Sequence, residues 1–203
     1  MATEPGKWSR MIAADPEHSY RYIERFKIMA AQGHDLLGEA RTVDAMAPRE
    51  ARILDAGCGP GRHAGWLAER GHHVVGVDVD PVLIDEARKE HPEARFVVSD
   101  LADLDLDERF DVILAAGNVM GFLAPSTRVE VLRRFGTHLD DQGRAIIGFG
   151  AGRGYEFSEF FADVQAAGLR VELALSTWDL KPFTDDSSFL VAIVGREAPL
   201  LAT

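Results

Sequence analysis

The sequence predicts an α/β fold, a mostly parallel sheet with helices on both faces. Three observations carry the prediction. The run Ile53 to Arg62 reads as a short apolar strand, a glycine loop and a helix start in immediate succession. From Arg52 onward, short apolar runs alternate with helix-period segments through successive β-α steps, the pattern of parallel strands joined by crossover helices. The last two apolar runs, Leu169 to Ser176 and Ser188 to Val194, have no helix-length segment between them, so they predict an antiparallel pair at one edge.

The elements follow in order. Residues 1–14 are mixed in character and are expected to be partly loose. Asp15-Pro16-Glu17 predicts a helix start, with Asp15 as N-cap and Pro16 in the first turn, running to Ala31 and stopping at Gly33. A second helix, about His34 to Ala47, ends before Pro48. These two helices make residues 1–47 an expected N-terminal helical cap, preceding an α/β unit over 48–203 with which it forms one compact body. Strand one ends at Asp55, and the helix after the glycine loop covers His63 to Arg70. His73 to Asp78 is the second strand. Pro81 suits the first turn of the helix Val82 to Lys89. Arg95 to Asp100 is the third strand, Leu101 to Arg109 a polar connection, and Phe110 to Ala115 the fourth strand. Ser126 to Leu139 has helical period and is closed by a turn over 140–143. Arg144 to Phe149 is strand five, and Phe157 to Ala167 is a helix capped by Gly168.

A chain of 203 residues fits one domain with a proper core, and 46% hydrophobic with 27% charged residues is ordinary for a soluble globular protein. A net charge of −11 argues against a nucleic-acid groove as the main surface. No apolar run approaches membrane-spanning length and the N-terminus lacks a secretory h-region, so a cytoplasmic location is expected. A homodimer stays open. The single cysteine excludes an intrachain disulfide; Cys58, inside the glycine loop with no basic neighbour, reads as a small filler. The seven histidines show no pair at metal-ligand spacing with a third ligand, so no metal is expected. His72 and His73, at the opposite end of strand two, read as structural.

The chemistry concentrates at the strand ends. Asp55-Ala56-Gly57-Cys58-Gly59-Pro60-Gly61 has the order D-x-G-x-G-x-G, and glycines there let backbone approach a bound nucleoside closely. Asp78 closes the next strand, where a carboxylate can accept from two ribose hydroxyls. Turn chemistry, helix start and ribose acid agree in order and spacing from Arg52 to Lys89. This constellation resembles motif I and its sequel in the class I S-adenosylmethionine-dependent methyltransferases, over about Arg52 to Arg196. The overall pattern is similar to the small bacterial tellurite-resistance type and the ubiquinone-biosynthesis-like group.

That resemblance implies a Rossmann-like three-layer sandwich with a seven-stranded sheet of order 3-2-1-4-5-7-6, strand seven antiparallel. It implies S-adenosyl-L-methionine as cofactor and an unidentified small-molecule acceptor, since no N-P-P-Y type signature or nucleic-acid module is present. It places Gly57, Gly59 and Gly61 along the methionine and ribose. Asp55 supports the loop and reaches the methionine ammonium, directly or through water. Asp78 takes the ribose, with capping of the next helix as the alternative; Val79 and Leu101 lie against adenine, and Asp100 accepts from its amine, with a solvated turn residue as the alternative. Asn118, after strand four, faces the methionine or the acceptor; satisfying loop backbone is the alternative.

His18, Tyr22 and Arg25 share one helical face. Facing the pocket, Arg25 would bind the methionine carboxylate while His18 and Tyr22, as catalytic candidates, lie near the reacting methyl; a wet amphipathic face is the alternative. The glycine-rich stretch 148–155 brings Arg153 and Tyr155 to the ligand side, where they suit an acceptor pocket, Tyr155 doubling as a catalytic candidate. Trp178 borders the same pocket or packs as a rim residue. A sulfonium is already an activated donor, so a dominant acid-base constellation is not required. The rival readings are an NAD-dependent oxidoreductase and a non-catalytic S-adenosylmethionine-binding protein.

Overall fold

The computed structural model describes residues 4–197. Three helices, α1 (Lys7–Ala14), α2 (His18–Ala31) and α3 (Gly38–Met46), precede the sheet. The α/β unit then runs β1 (Arg52–Ala56), α4 (Arg62–Ala68), β2 (His73–Asp78), α5 (Pro81–Glu90), β3 (Arg95–Val98), β4 (Phe110–Ala115), α6 (Arg128–His138), β5 (Leu139–Gly150), α7 (Phe157–Ala166), β6 (Leu169–Leu175) and β7 (Phe189–Arg196). The sheet order is β3-β2-β1-β4-β5-β7-β6, as the resemblance implied. β1 lies parallel to β2 and β4, and β7 is antiparallel to both β5 and β6. Among the described residues no helix is long and apolar enough to cross a membrane.

Alternate residues of the central strands feed two cores, as a pleated strand covered on both faces requires. Leu54, Ile113 and Ile147 join Phe135, Phe149 and Phe160 on the face covered by α6 and α7. Ile53, Leu114 and Ile146 join Val43, Leu67 and Ile84 on the face covered by α3, α4 and α5. This sandwich fixes the strand ends, and therefore the loops that follow them, as one rigid edge.

The structure departs from the expected elements at four places. Residues 7–14 form a regular helix rather than a loose lead. α2 starts at His18, because Asp15 belongs to the turn between α1 and α2: its amide closes α1 on the Met11 carbonyl, and its carboxylate accepts from the Glu17 amide at 3.2 Å. α3 starts at Gly38, because Asp35 accepts from the Leu37 amide and the Leu36 carbonyl accepts from Arg62, leaving 34–37 irregular. The turn expected at 140–143 lies inside β5. The β4–β5 ladder steps from Phe110–Leu139 to Val112–Arg144, so those residues bulge from the strand without ending it.

Candidate active site

The C-terminal ends of β1 through β5 open into one cleft of about 330 Å³. Its sheet side carries Gly57, Gly59, Asp78, Val79, Asp100, Leu101 and Asn118, and its cap side Trp8, Tyr22 and Arg25.

The glycine loop is shaped by its neighbours. The amides of Gly57 and Cys58 both donate to the Val77 carbonyl, at 2.7 and 3.0 Å, which folds the loop back onto β2. Gly57 has φ +76°, and a Cβ there would stand 2.4 Å from a Val119 methyl. Gly61 serves packing instead. A Cβ would meet Phe96 and Ala87 at 2.9 and 3.0 Å, so this glycine lets α4 approach α5 and β3. It does not line the cleft.

Asp78 is tied to the loop it faces. Its Oδ2 accepts from the Gly59 amide at 2.9 Å and its Oδ1 from the Asp80 amide at 3.0 Å. Burial, reinforced by the charges of Asp80 and Asp55 and opposed by those two amides, raises its carboxyl to about 6. Each oxygen keeps a lone pair for the cleft. Asp80 extends this connection to the cap. It is 1% exposed, and its carboxylate accepts from the Trp8 indole at 2.9 Å, the Ser19 hydroxyl and the Val82 amide. The turn bearing Asp78 therefore also holds α1 and α2. Asp100, after β3, has its Oδ1 on the Ala102 amide at 2.9 Å. Asn118 is left-handed at φ +66°, and its Oδ1 accepts from the Gly150 amide at 2.8 Å, joining the ends of β4 and β5.

Tyr22 lies across Gly59, its ring 3.7 Å from where a Cβ would stand, and burial pushes its hydroxyl up. Arg25 follows one turn later on the cleft side. His18, on the same helical face, does not line the cleft; its ring packs edge-on to Trp8 at 5.0 Å, behind the wall that Trp8 forms. Asp55 also lies below the cleft surface, 1% exposed, with Oδ2 lacking a protein partner among the described residues, and burial pushes its carboxyl up.

One expected acceptor residue is corrected, and a second takes its rim alternative. Tyr155 is fully buried, its ring stacked on Phe149 and edge-on to Phe160, and its hydroxyl donates to Asp163 at 2.7 Å; packing against these aromatics commits it to the core and not to the cleft. Trp178 packs on the β5 backbone, where a Cβ on Gly148 would stand 2.3 Å from its ring, and its carbonyl accepts from Thr42 on α3. It borders a shallow hollow beside α3, not the cleft. Arg153 does reach the cleft, its Cβ close to Gly121 in the single-turn helix Val119–Phe122.

Sequence reasoning missed the wall formed by Trp8, Ser9 and Phe26, and that formed by Phe122 to Ala124. Trp8, Met11 and Ile12 stand at helical i, i+3, i+4 spacing, a signal that could have placed α1. Arg62 and His63 were also missed. His63 Nε2 stands 3.6 Å from Glu39. Burial alone would raise Glu39, but His63 and Arg62 outweigh it and hold the carboxyl at about 2. Among the described residues no group of His, Cys, Asp and Glu could hold a metal ion.

A sheet of this order, with a glycine loop after β1 and an acid after β2, defines a nucleoside-binding α/β enzyme class. A family model described as a methyltransferase domain matches residues 53–143. The crystal structure of a TehB-like SAM-dependent methyltransferase from Corynebacterium glutamicum ATCC 13032 Kitasato is 51% identical, with a TM-score of 0.88, covering 90% of this chain and 100% of that one. Magnesium-protoporphyrin O-methyltransferase of Rhodobacter capsulatus is 32% identical over 126 residues, 58% of this chain and 53% of its own length. Demethylmenaquinone methyltransferase of Clavibacter sepedonicus is 29% identical over 152 residues, 72% of this chain and 59% of its own. The chain spans about half the length of the first curated relatives it matches. It belongs to the class I S-adenosylmethionine-dependent methyltransferases, and S-adenosylmethionine is its cofactor. The residues present fit that group: a buried carboxylate with free lone pairs faces the cleft at Asp78, Gly59 leaves the loop surface bare, and Asp55 carries an orphaned buried oxygen beneath it.

Proposed function

We propose that this protein methylates a small organic acceptor bound in the β4–β5 half of the cleft. The observation that carries the reading is Asp78, buried, fixed by two backbone amides and still open to the cleft. Bound S-adenosylmethionine would supply a sulfonium-activated methyl group. In this reading Asp78 accepts from the ribose hydroxyls, Val79 and Leu101 flank adenine, and Asp100 accepts from the adenine amine. Gly57 and Gly59 lie along the methionine chain. Arg25 makes a two-pronged contact with the cofactor carboxylate, the geometry its guanidinium favours. The free oxygen of Asp55 holds the ammonium through a water.

The chain itself contributes alignment and exclusion of water. Residues 1–47 act as a cap: Trp8 and Tyr22 shield the site, and Asp80 anchors their helices. Tyr22 keeps its proton because burial disfavours the phenolate, so it donates a hydrogen bond and does not act as a base. Asn118 fixes the approach of the β4 and β5 loops. A cytoplasmic protein with no nucleic-acid or membrane partner completes the reading, in line with the net charge of −11.

Isothermal titration with S-adenosylhomocysteine and NAD, followed by S-adenosylhomocysteine release across oxygen, nitrogen and carbon acceptors, tests the proposal. Binding of the sulfur compound with turnover on a small acceptor is expected. Response to NAD alone would overturn it. Tight S-adenosylhomocysteine binding with no turnover across the acceptors would instead favour a non-catalytic binding protein.

A further inference from the structure

The cleft separates its charges by position along the sheet edge. Its acids, Asp78 and Asp100, follow β2 and β3, and both are engaged by backbone amides. Its other end, after β4 and β5, has no acid in its wall. There Trp8, Phe122, Leu123 and Ala124 make an apolar surface, with Arg153 at the rim. Arg153 has no ion pair or side-chain hydrogen bond among the described residues. Lys7 stands beside the same surface, its Nζ 5.9 Å from the centre of the Phe122 ring, and it too lacks a carboxylate partner among the described residues.

These free cations stand out against the rest of the molecule. The chain carries 33 acids against 22 Lys and Arg, and most of its arginines are paired with carboxylates. An arginine left without an acid, beside an apolar wall on an acidic protein, sets a local field that attracts an anion where the surroundings repel one. Arg25 lies apart from this wall, its guanidinium 5.9 Å from the centre of the Phe26 ring.

Resting on the methyltransferase reading above, we infer that the methyl acceptor is a small organic anion, an apolar or planar body bearing a carboxylate or phosphate. The body packs on Trp8 and Phe122, and the anionic group is bound by Arg153 with support from Lys7. The guanidinium can take a carboxylate or phosphate through two parallel hydrogen bonds, which would also orient the body toward the cofactor. Arg153 is therefore a specificity residue.

Matched pairs test the inference. Protein saturated with S-adenosylhomocysteine is titrated with benzoate and benzamide, then with phenyl phosphate and phenol. At least one anion should bind about tenfold more tightly than its neutral partner, and the better of the two anions identifies the preferred head group. Arg153→Ala should erase that preference while leaving S-adenosylhomocysteine affinity unchanged, and Arg153→Lys should restore part of it. Equal binding of acid and neutral partner, no binding by either anion, or a preference that survives in Arg153→Ala overturns the inference. Failure of wild-type protein to bind S-adenosylhomocysteine would instead strike the cofactor site itself, so the two failures are distinct.

Discussion

Replacing Asp78 by alanine perturbs the cofactor end of the cleft most directly. Its oxygens are positioned by the Gly59 and Asp80 amides at 2.9 and 3.0 Å, leaving one lone pair each for a ribose hydroxyl. Hydrogen bonds to a charged group contribute about 1.5–3 kcal/mol each. Losing two should weaken S-adenosylhomocysteine binding by roughly 3–6 kcal/mol, about 10²- to 10⁴-fold in Kd. The orphaned Gly59 amide lies at the cleft wall, while the orphaned Asp80 amide is buried and costs about 1–3 kcal/mol, which the fold should survive. The same carboxyl predicts a pH dependence. Burial raises it from 3.8 to about 6. In folding, a raised acid contributes stability below pH 3.8 that is lost as pH rises through about 6, on the order of 3 kcal/mol. Cofactor binding has the opposite sign, because the ribose needs the ionised form. Affinity should be level above about pH 6 and fall toward tenfold per unit below it, and Asp78→Asn should flatten that profile. Titration calorimetry across pH, with circular dichroism to check folding, measures both. A folded Asp78→Ala protein within about threefold of wild-type affinity, or a wild-type profile with no acid limb, would refute the ribose assignment.

Asp80→Ala removes the acceptor for Trp8, Ser19 and Val82 and should cost about 2–4 kcal/mol of stability in urea unfolding, with faster amide exchange in α1 and α2. Tyr155→Phe removes only a hydroxyl bonded to Asp163, so stability should fall by about 1 kcal/mol while kcat and KM stay at wild-type values; a lost turnover would return Tyr155 to the chemistry. Gly57→Ala forces a Cβ against Val119 at a left-handed φ of +76°, and should destabilise by about 1–3 kcal/mol and weaken cofactor binding, measured by thermal unfolding with and without S-adenosylhomocysteine.

The parts legible in the sequence are those written in local chemistry. Strand β1, the glycine loop and Asp78 were readable because turn, helix start and strand-end acid fall within one continuous stretch. The sheet order came from the resemblance and could not come from periodicity, since pairing between β5 and β7 is settled by tertiary contacts. The cap was harder. Asp15-Pro16 has the chemistry of a helix start but sits in a turn, because the backbone of α1 closes on Asp15 first. Asp80 is the N-cap of α5, and only packing reveals that Trp8 and Ser19 also converge on it. Tyr155 was misplaced for a related reason: a glycine-rich stretch shows that the chain can turn, without showing to which side, whereas Trp178 follows its rim alternative, packed on the β5 backbone. His18 shares a helical face with Tyr22, yet one turn of helix carries it past the cleft and behind Trp8.

A crystal structure of the protein with S-adenosylhomocysteine tests the central claim most directly. Both ribose hydroxyls are expected within hydrogen-bond distance of the Asp78 carboxylate, with the adenine amine at Asp100 and the amino-acid end beneath Tyr22 and Arg25. Ligand bound with its ribose away from Asp78, or with the adenine at the Trp8 and Phe122 end, would contradict the assignment of the cleft's two halves.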